Sequence, residues 1–240
     1  MYKYETHLHT LPASSCAIRT SREVLSFYKE IGHDGVFVTN HFYLSRVRSG
    51  LFTYEEMINN FFDDIENSKQ IGKELGLKVF GGLEMSDNGA DFLVYGMNRE
   101  FFVQNPDFAT IDLDERFERL QNAGALIIHA HPFRPTTKKR ALRIFPHHVE
   151  GVEVYNTNRV GQCIKLAEMY AKTYNLPEFA GSDNHGGELH PVLSGMMSDT
   201  PITDEFDFME KFRAGKLRVF YENNPLRNNA EGAVDEILQS

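Results

Sequence analysis

The chain has 240 residues, 41% of them hydrophobic and nineteen of them Phe, which is enough to bury one large core; its formal charge is −9 at pH 7. That charge excludes a general nucleic-acid-coating surface, which must neutralise phosphates with Lys and Arg, but it leaves room for a local basic pocket. No apolar run reaches the roughly 18 residues of a membrane span, the first residues lack the charged-then-apolar pattern of a secretory signal, and Cys16 and Cys163 are too few for a disulfide framework. The expectation is a soluble, cytoplasmic protein.

The opening segment, Lys3 to Thr10, reads as a strand that carries His7 and His9 on one face, because strand side chains alternate with period two. Thr20-Ser-Arg-Glu23 is a capping box that opens a helix with Val24, Leu25, Tyr28 and Ile31 at helical spacing, ended by Gly32. Gly35 to Thr39 is a short strand leading to His41. Thr53-Tyr-Glu-Glu56 then opens a long helix with Tyr54, Met57, Ile58, Phe61, Phe62 and Ile65 on one face. Leu77 to Phe80 leads to Glu84, Phe92 to Tyr95 forms another strand, and Leu113 to Asn122 is a helix closed by Gly124. Ala125 to Ile128 runs into His129 and His131. Gly151 to Tyr155 is followed by a helix near Arg159 to Tyr174, and Glu178 to Ala180 leads to Asp183.

This alternation predicts an α/β fold with a parallel sheet. Ligand-type residues at five or more strand ends favour a closed barrel, about 250 residues being usual for one, with its chemistry on the C-terminal face. Residues 1–222 are expected to form the barrel and residues 223–240 a polar C-terminal tail, packed on the barrel or frayed. No internal repeat, low-complexity tract or linker divides the chain.

Imidazoles and carboxylates at strand ends suit Zn²⁺, Mn²⁺ or Fe²⁺, and a shared carboxylate can bridge two ions that activate water and hold a phosphoryl group. The motifs His7-Leu-His-Thr10, Thr39-Asn-His41, Gly82-Leu-Glu84, His131-Pro132 and Gly181-Ser-Asp-Asn-His185 follow one another in the order of the polymerase and histidinol phosphatase (PHP) superfamily of metal-dependent phosphoesterases, which the chain resembles over most of its length. The resemblance implies a distorted seven-stranded (β/α) barrel of TIM-like form holding two to three divalent ions. His7, His9, Glu84 and Asp183 would bind one ion, Glu84 would bridge to a second held by His131, and His41 and His185 would hold a third.

Two positions depart from the family pattern. Cys16 stands where relatives often place His or Asp on the third ion, and it is read as a thiolate ligand or as a loop thiol. Asp91 stands where several relatives place His on the second ion, and it is read as an oxygen ligand favouring Mn²⁺ or Mg²⁺ or as a solvated carboxylate. His129 shares a strand with His131 and is read as orienting a ligand or as a buried structural residue; Glu153 is read as supporting the ligands or as a structural carboxylate. His33, His147, His148 and His190 match no motif and are assigned to packing or surface roles.

Arg134 is the first candidate for gripping phosphate, since a guanidinium holds two oxygens at once, with Arg19, Arg46 and Arg159 as further mouth residues. The expected reaction is hydrolysis of a small phosphomonoester, histidinol phosphate-like or nucleotide, or of an oligonucleotide end. Glu84 and Asp183 would position the activated water, Arg134 would stabilise the developing charge, and His185 or a water would protonate the leaving oxygen. Serine-hydrolase, P-loop and dinucleotide motifs are missing. The alternatives are hydrolysis of a C–N bond, as in amidohydrolases, and a non-catalytic metal-binding module.

Overall fold

The computed structural model describes residues 1–134, 141–159, 161–186, 190–226 and 232–239. Its strands are β1 (Tyr2–Leu8), β2 (Gly35–Val38), β3 (His41–Phe42), β4 (Lys78–Asp87), β5 (Ala90–Tyr95), β6 (Leu126–Ala130), β7 (Gly151–Asn156), β8 (Glu178–Gly181), β9 (Val192–Ser198) and β10 (Leu217–Asn223). Its helices are α1 (Ser21–Glu30), α2 (Leu44–Arg48), α3 (Tyr54–Leu75), α4 (Arg99–Gln104), α5 (Leu113–Asn122), α6 (Gly161–Tyr174), α7 (Glu205–Arg213) and α8 (Ala233–Gln239). No helix among the described residues is long and apolar enough to cross a membrane.

Both capping boxes form as read. Thr20 and Thr53 each accept a hydrogen bond from the backbone N–H of a Glu three residues on, and that Glu accepts one in return. Gly76, at φ 65°, then closes the 22-residue α3 in the left-handed conformation.

The strands run in the order β10-β9-β1-β2-β4-β5-β6-β7-β8, with β3 paired to β4. A parallel bridge between Leu8 and Asn184, just past β8, brings β1 and the end of β8 together, so the sheet nearly closes on itself. This is the expected barrel-like α/β fold, drawn with more strands than seven and with mixed polarity. The all-parallel expectation fails at β5, which is antiparallel to both β4 and β6. The reason is local: Asn88 and Gly89 carry φ of 46° and 90° and form the two-residue hairpin turn for which an Asn-Gly pair is a signal. β9 and β10 are also antiparallel additions, and their sequences lack clean alternation of polar and apolar residues.

Helix α7 explains how the barrel is filled. Its Phe208, Met209 and Phe212 pack with Tyr4, Phe37, Phe80, Tyr95 and Phe179, contributed by five strands. Phe37 and Phe208 stand 4.3 Å apart by ring centroid, and Phe37 and Phe80 stand 4.7 Å apart. Tyr4, Phe37, Phe80 and Phe179 each precede a strand-end residue, His7, His41, Glu84 or Asp183, by three or four positions. The aromatic plug therefore lies toward the strand N-termini, and the polar residues are left to gather at the other end. Each buried Phe contributes about 1.5–3 kcal/mol. The described C-terminal residues supply the end of β10 and α8, which lies against α6 and β10.

Candidate metal centre

Period-two alternation on β1 brings His7 and His9 together, both fully buried, with their Nε2 atoms 3.1 Å apart. The two-residue β3 pairs His41 directly with Glu84 on β4, and Nδ1 of His41 lies 2.7 Å from Glu84 Oε2. Glu84 Oε1 stands 3.1 Å from His131 Nε2. Asp183 Oδ1 lies 3.3 Å from His9 Nε2 and 3.5 Å from His7 Nε2. His131 and Asp183 hold φ of 28° and 51°, a left-handed backbone that non-glycine residues rarely adopt and that turns both side chains inward from their strand ends.

Among the described residues, four groups of three converge closely enough to hold an ion: His7, His9 and Glu84; His7, His131 and Asp183; Glu84, Asp91 and His131; and His9, His41 and His185. Donors about 2.1 Å from one ion stand about 3.0–3.4 Å from each other; the Nε2 atoms of His7 and His9 are 3.1 Å apart and lie 3.5 and 3.4 Å from the Glu84 carboxylate, close to that spacing. Glu84 Oε2 is buried and lacks a hydrogen bond of proper geometry despite the approach of His41. The donor set of imidazole nitrogens and carboxylate oxygens, with a carboxylate oxygen left unsatisfied, fits divalent cations of the Zn²⁺ and Mn²⁺ class.

A supporting layer fixes the ring orientations. Nδ1 of His7 donates to Glu153 Oε1 at 2.8 Å, while Glu153 Oε2 accepts from the backbone N–H of His131 and from Asn156 Nδ2, both at 3.0 Å. Ser14 Oγ lies 3.1 Å from His9 Nδ1 and accepts from the backbone N–H of His41. Glu5 Oε1 accepts from the backbone N–H groups of Thr6, His7 and Ser182, tying β1 to the end of β8. Ser14 and Glu5 escaped the sequence reading. The only available signal for Glu5 was its place two residues before His7, on the same face of the strand.

Burial works against charge throughout the centre, and neighbouring charges decide the outcome. Burial alone would lower His7, but the Glu153, Asp183 and Glu84 carboxylates hold it well above the ordinary imidazole range. For His9, burial wins, aided by repulsion from His41, and lowers it to about 3. Burial would raise Glu84 and Asp183, yet the surrounding histidines hold both well below the usual carboxylate range.

At the rim, Cys16 Sγ stands 3.1 Å from His185 Nε2. Burial would raise the thiol, but hydrogen bonds with His185 and His41 bring it down to about 6. Asp91 approaches His131 Nδ1 to 3.8 Å. Arg159 Nη2 donates to Asp183 Oδ2 at 2.8 Å, with its side chain only 12% exposed. Arg134, the first candidate in sequence, is 53% exposed, and its guanidinium approaches Asp91 to 3.8 Å. Arg19 lies 3.9 Å from Glu23, and Arg46 covers the Tyr43 ring at 3.7 Å.

His129 does not face the centre. β6 ends at Ala130, and the left-handed turn at His131 breaks the parity that would place the two histidines on one side. The His129 ring packs instead on Phe92, Phe145 and Tyr170 with Nδ1 unpartnered. His33 is buried against Tyr28 and Phe220, His147 and His148 pack on Tyr174 and Phe117, and His190 Nδ1 lies 3.4 Å from Thr157 Oγ1.

Comparison with solved structures decides the fold. A two-domain protein of Bacteroides vulgatus containing a predicted PHP-like metal-dependent phosphoesterase superposes on 92% of the chain with a TM-score of 0.66 at 14% identity. The chain has the PHP-like fold. It spans 65% of the length of that two-domain protein. A protein of Bifidobacterium adolescentis, named by inference as a metal-dependent phosphoesterase, superposes on 87% of the chain and 95% of its own length, with a TM-score of 0.53 and 14% identity. An amidohydrolase of Chromobacterium violaceum, with sulfate bound and no metal, matches 90% of the chain and 97% of its own length, with a TM-score of 0.55 and 13% identity. In sequence, an uncharacterized protein of Methanocaldococcus jannaschii is 26% identical over 140 residues, 58% of the chain and 68% of that protein. No protein-family profile matches the chain.

Proposed function

We propose that the chain is a metal-dependent phosphoesterase that hydrolyses a small phosphomonoester. The observation that carries this reading is the overlap of the ligand groups: His7, His9, Glu84 and His131 each belong to two of the four triads, so the cluster has the form of adjoining sites that share ligands. When bound, two or three divalent ions supply Lewis-acid polarisation of a phosphoryl group and acidify water, the combination suited to in-line displacement at phosphorus.

The chain's own residues prepare that chemistry. Glu153 accepts a hydrogen bond from the Nδ1–H of His7, which keeps the proton on Nδ1 and leaves Nε2 as the ligating atom toward the cluster. Ser14 does the corresponding work for His9. His41 and His185 complete a triad with His9, and Cys16 beside His185 and Asp91 beside His131 add a soft and a hard donor at the two flanks. Arg159, held against Asp183 and nearly covered, is placed to offset charge on a phosphoryl oxygen, and Arg134 adds charge from the exposed side.

The test is phosphate release from phosphomonoesters with Mn²⁺ or Zn²⁺ added and in parallel with EDTA. Metal-dependent release is expected, with His7→Ala and Asp183→Ala folded but at least roughly 10²–10³-fold slower. Full activity in both variants defeats the reading. The amidohydrolase neighbour supports a second reading, hydrolysis of a C–N bond by the same residues; release of amine from N-acyl substrates with no phosphate release would favour it.

A further inference from the structure

Tyr28 stands on α1 at helical spacing with Val24, Leu25 and Ile31, a position that reads in sequence as packing. It is fully buried, yet its hydroxyl makes two polar contacts: it donates to Glu5 Oε2 at 2.6 Å and accepts from Asn184 Nδ2 at 2.9 Å. One phenol oxygen therefore joins β1 to the segment that follows β8. The other Glu5 oxygen accepts from the backbone N–H groups of His7 at 2.8 Å and Ser182 at 2.9 Å. The Asn184 backbone continues the link, since its N–H donates to the His7 carbonyl at 3.2 Å and its carbonyl accepts from the His9 N–H at 2.9 Å.

Asp183 lies between these two anchored neighbours. Its φ of 51° is a strained conformation for a residue with a Cβ, and such a turn persists where the surroundings over-determine it. Ser182 is held on one side by Glu5 and by Thr157 Oγ1, which donates to its carbonyl at 2.6 Å. Asn184 is held on the other side by the β1 backbone and by Tyr28. We infer that Tyr28 is a positioning residue for the metal centre: its hydroxyl, acting through Asn184 and Glu5, holds Asp183 in the left-handed turn that aims its carboxylate toward His7 and His9. This rests on the phosphoesterase reading above, which makes Asp183 a ligand. Asp183 belongs to one of the four triads, that with His7 and His131, so the effect of Tyr28 falls on the ion held there.

The experiment is stepwise Zn²⁺ titration of the full chain against chelators of graded affinity, on the unaltered protein, Tyr28→Phe, Asp183→Asn and the double variant. Asp183→Asn identifies the binding step that depends on Asp183. Tyr28→Phe, which keeps the ring and removes the hydroxyl, is expected to weaken that step by about 10–100-fold and the remaining steps by less than about threefold. In the Asp183→Asn background the same change is expected to move every step by less than about threefold, because a residue that acts through Asp183 has nothing left to position. A packing role predicts equal loss in both backgrounds, and that result overturns the inference, as does unaltered Zn²⁺ affinity in a folded Tyr28→Phe protein. Asn184→Ser cuts the link from its other end and decides the question where Tyr28→Phe fails to fold: weakening of the Asp183-dependent step is expected, and unaltered affinity overturns the inference. Phosphate release from phosphomonoesters is measured on the unaltered protein alongside. Release together with unaltered affinity in Tyr28→Phe defeats the Tyr28 assignment and keeps the phosphoesterase reading; the coupled loss of affinity without release from any ester keeps the assignment and defeats that reading.

Discussion

Glu153 on β7 accepts the Nδ1 proton of His7 on β1 at 2.8 Å, and its second oxygen holds the backbone N–H of His131 at 3.0 Å. One fully buried carboxylate thus orients two candidate ligands from opposite parts of the sequence. Glu153→Gln removes the charge that favours the His7 tautomer while keeping the shape, and it is expected to weaken Zn²⁺ binding by about 10–100-fold. Competition with a chromogenic chelator measures this directly, and unchanged affinity would separate Glu153 from the centre.

Gly181 lies where β8 passes His7. A Cβ there would stand 2.4 Å from His7 Cβ and 2.9 Å from Glu153 Oε1, so Gly181→Ala must push the imidazole and its orienting carboxylate apart. The expected outcome is a loss of about 1–3 kcal/mol in stability together with weakened metal binding. Denaturant unfolding and metal titration on the same sample test both effects.

His33 has a definite pH signature because it is buried with neither ring nitrogen hydrogen-bonded. Burial, reinforced by the Lys3 charge, lowers it from 6.5 to about 3. The neutral form is therefore the folded form: its contribution is full above pH 6.5 and is lost as pH falls toward 3, as the unfolded chain takes up the proton first. Between pH 6.5 and 5 this costs about 2 kcal/mol. His33→Phe, which keeps the ring packing on Tyr28 and Phe220, is expected to flatten the acid limb of the stability profile by that amount, measured as ΔG of unfolding against pH.

Arg116 of α5 is 2% exposed and donates to Asp87 Oδ2 at 2.7 Å and to the Phe108 carbonyl at 2.9 Å. Arg116→Leu leaves Asp87 buried beside the end of β4 without its nearest cation. The expected cost is about 3–5 kcal/mol, or a fall in Tm of roughly 6–20 °C for a chain of this size. Replacing both residues with apolar partners should recover much of the loss, which thermal unfolding of the double variant would show.

Much of this protein is legible in its residues one neighbourhood at a time. The capping boxes at Thr20 and Thr53, the pairing of His7 with His9 and the donors at strand ends all depend on spacings within a few residues, where backbone geometry alone dictates direction. The Asn88-Gly89 hairpin was equally local and could have been read. The tertiary structure decided what depends on distant contacts: that α7 plugs the barrel with Phe208, that a left-handed turn at His131 sends His129 into the core, that Arg159 rather than Arg134 touches Asp183, and that the Tyr28 hydroxyl joins Glu5 to Asn184. Period-two and period-3.6 patterns specify which way a side chain leaves its own strand or helix. They carry no information about which element closes over it, because that depends on contacts between residues far apart in the chain.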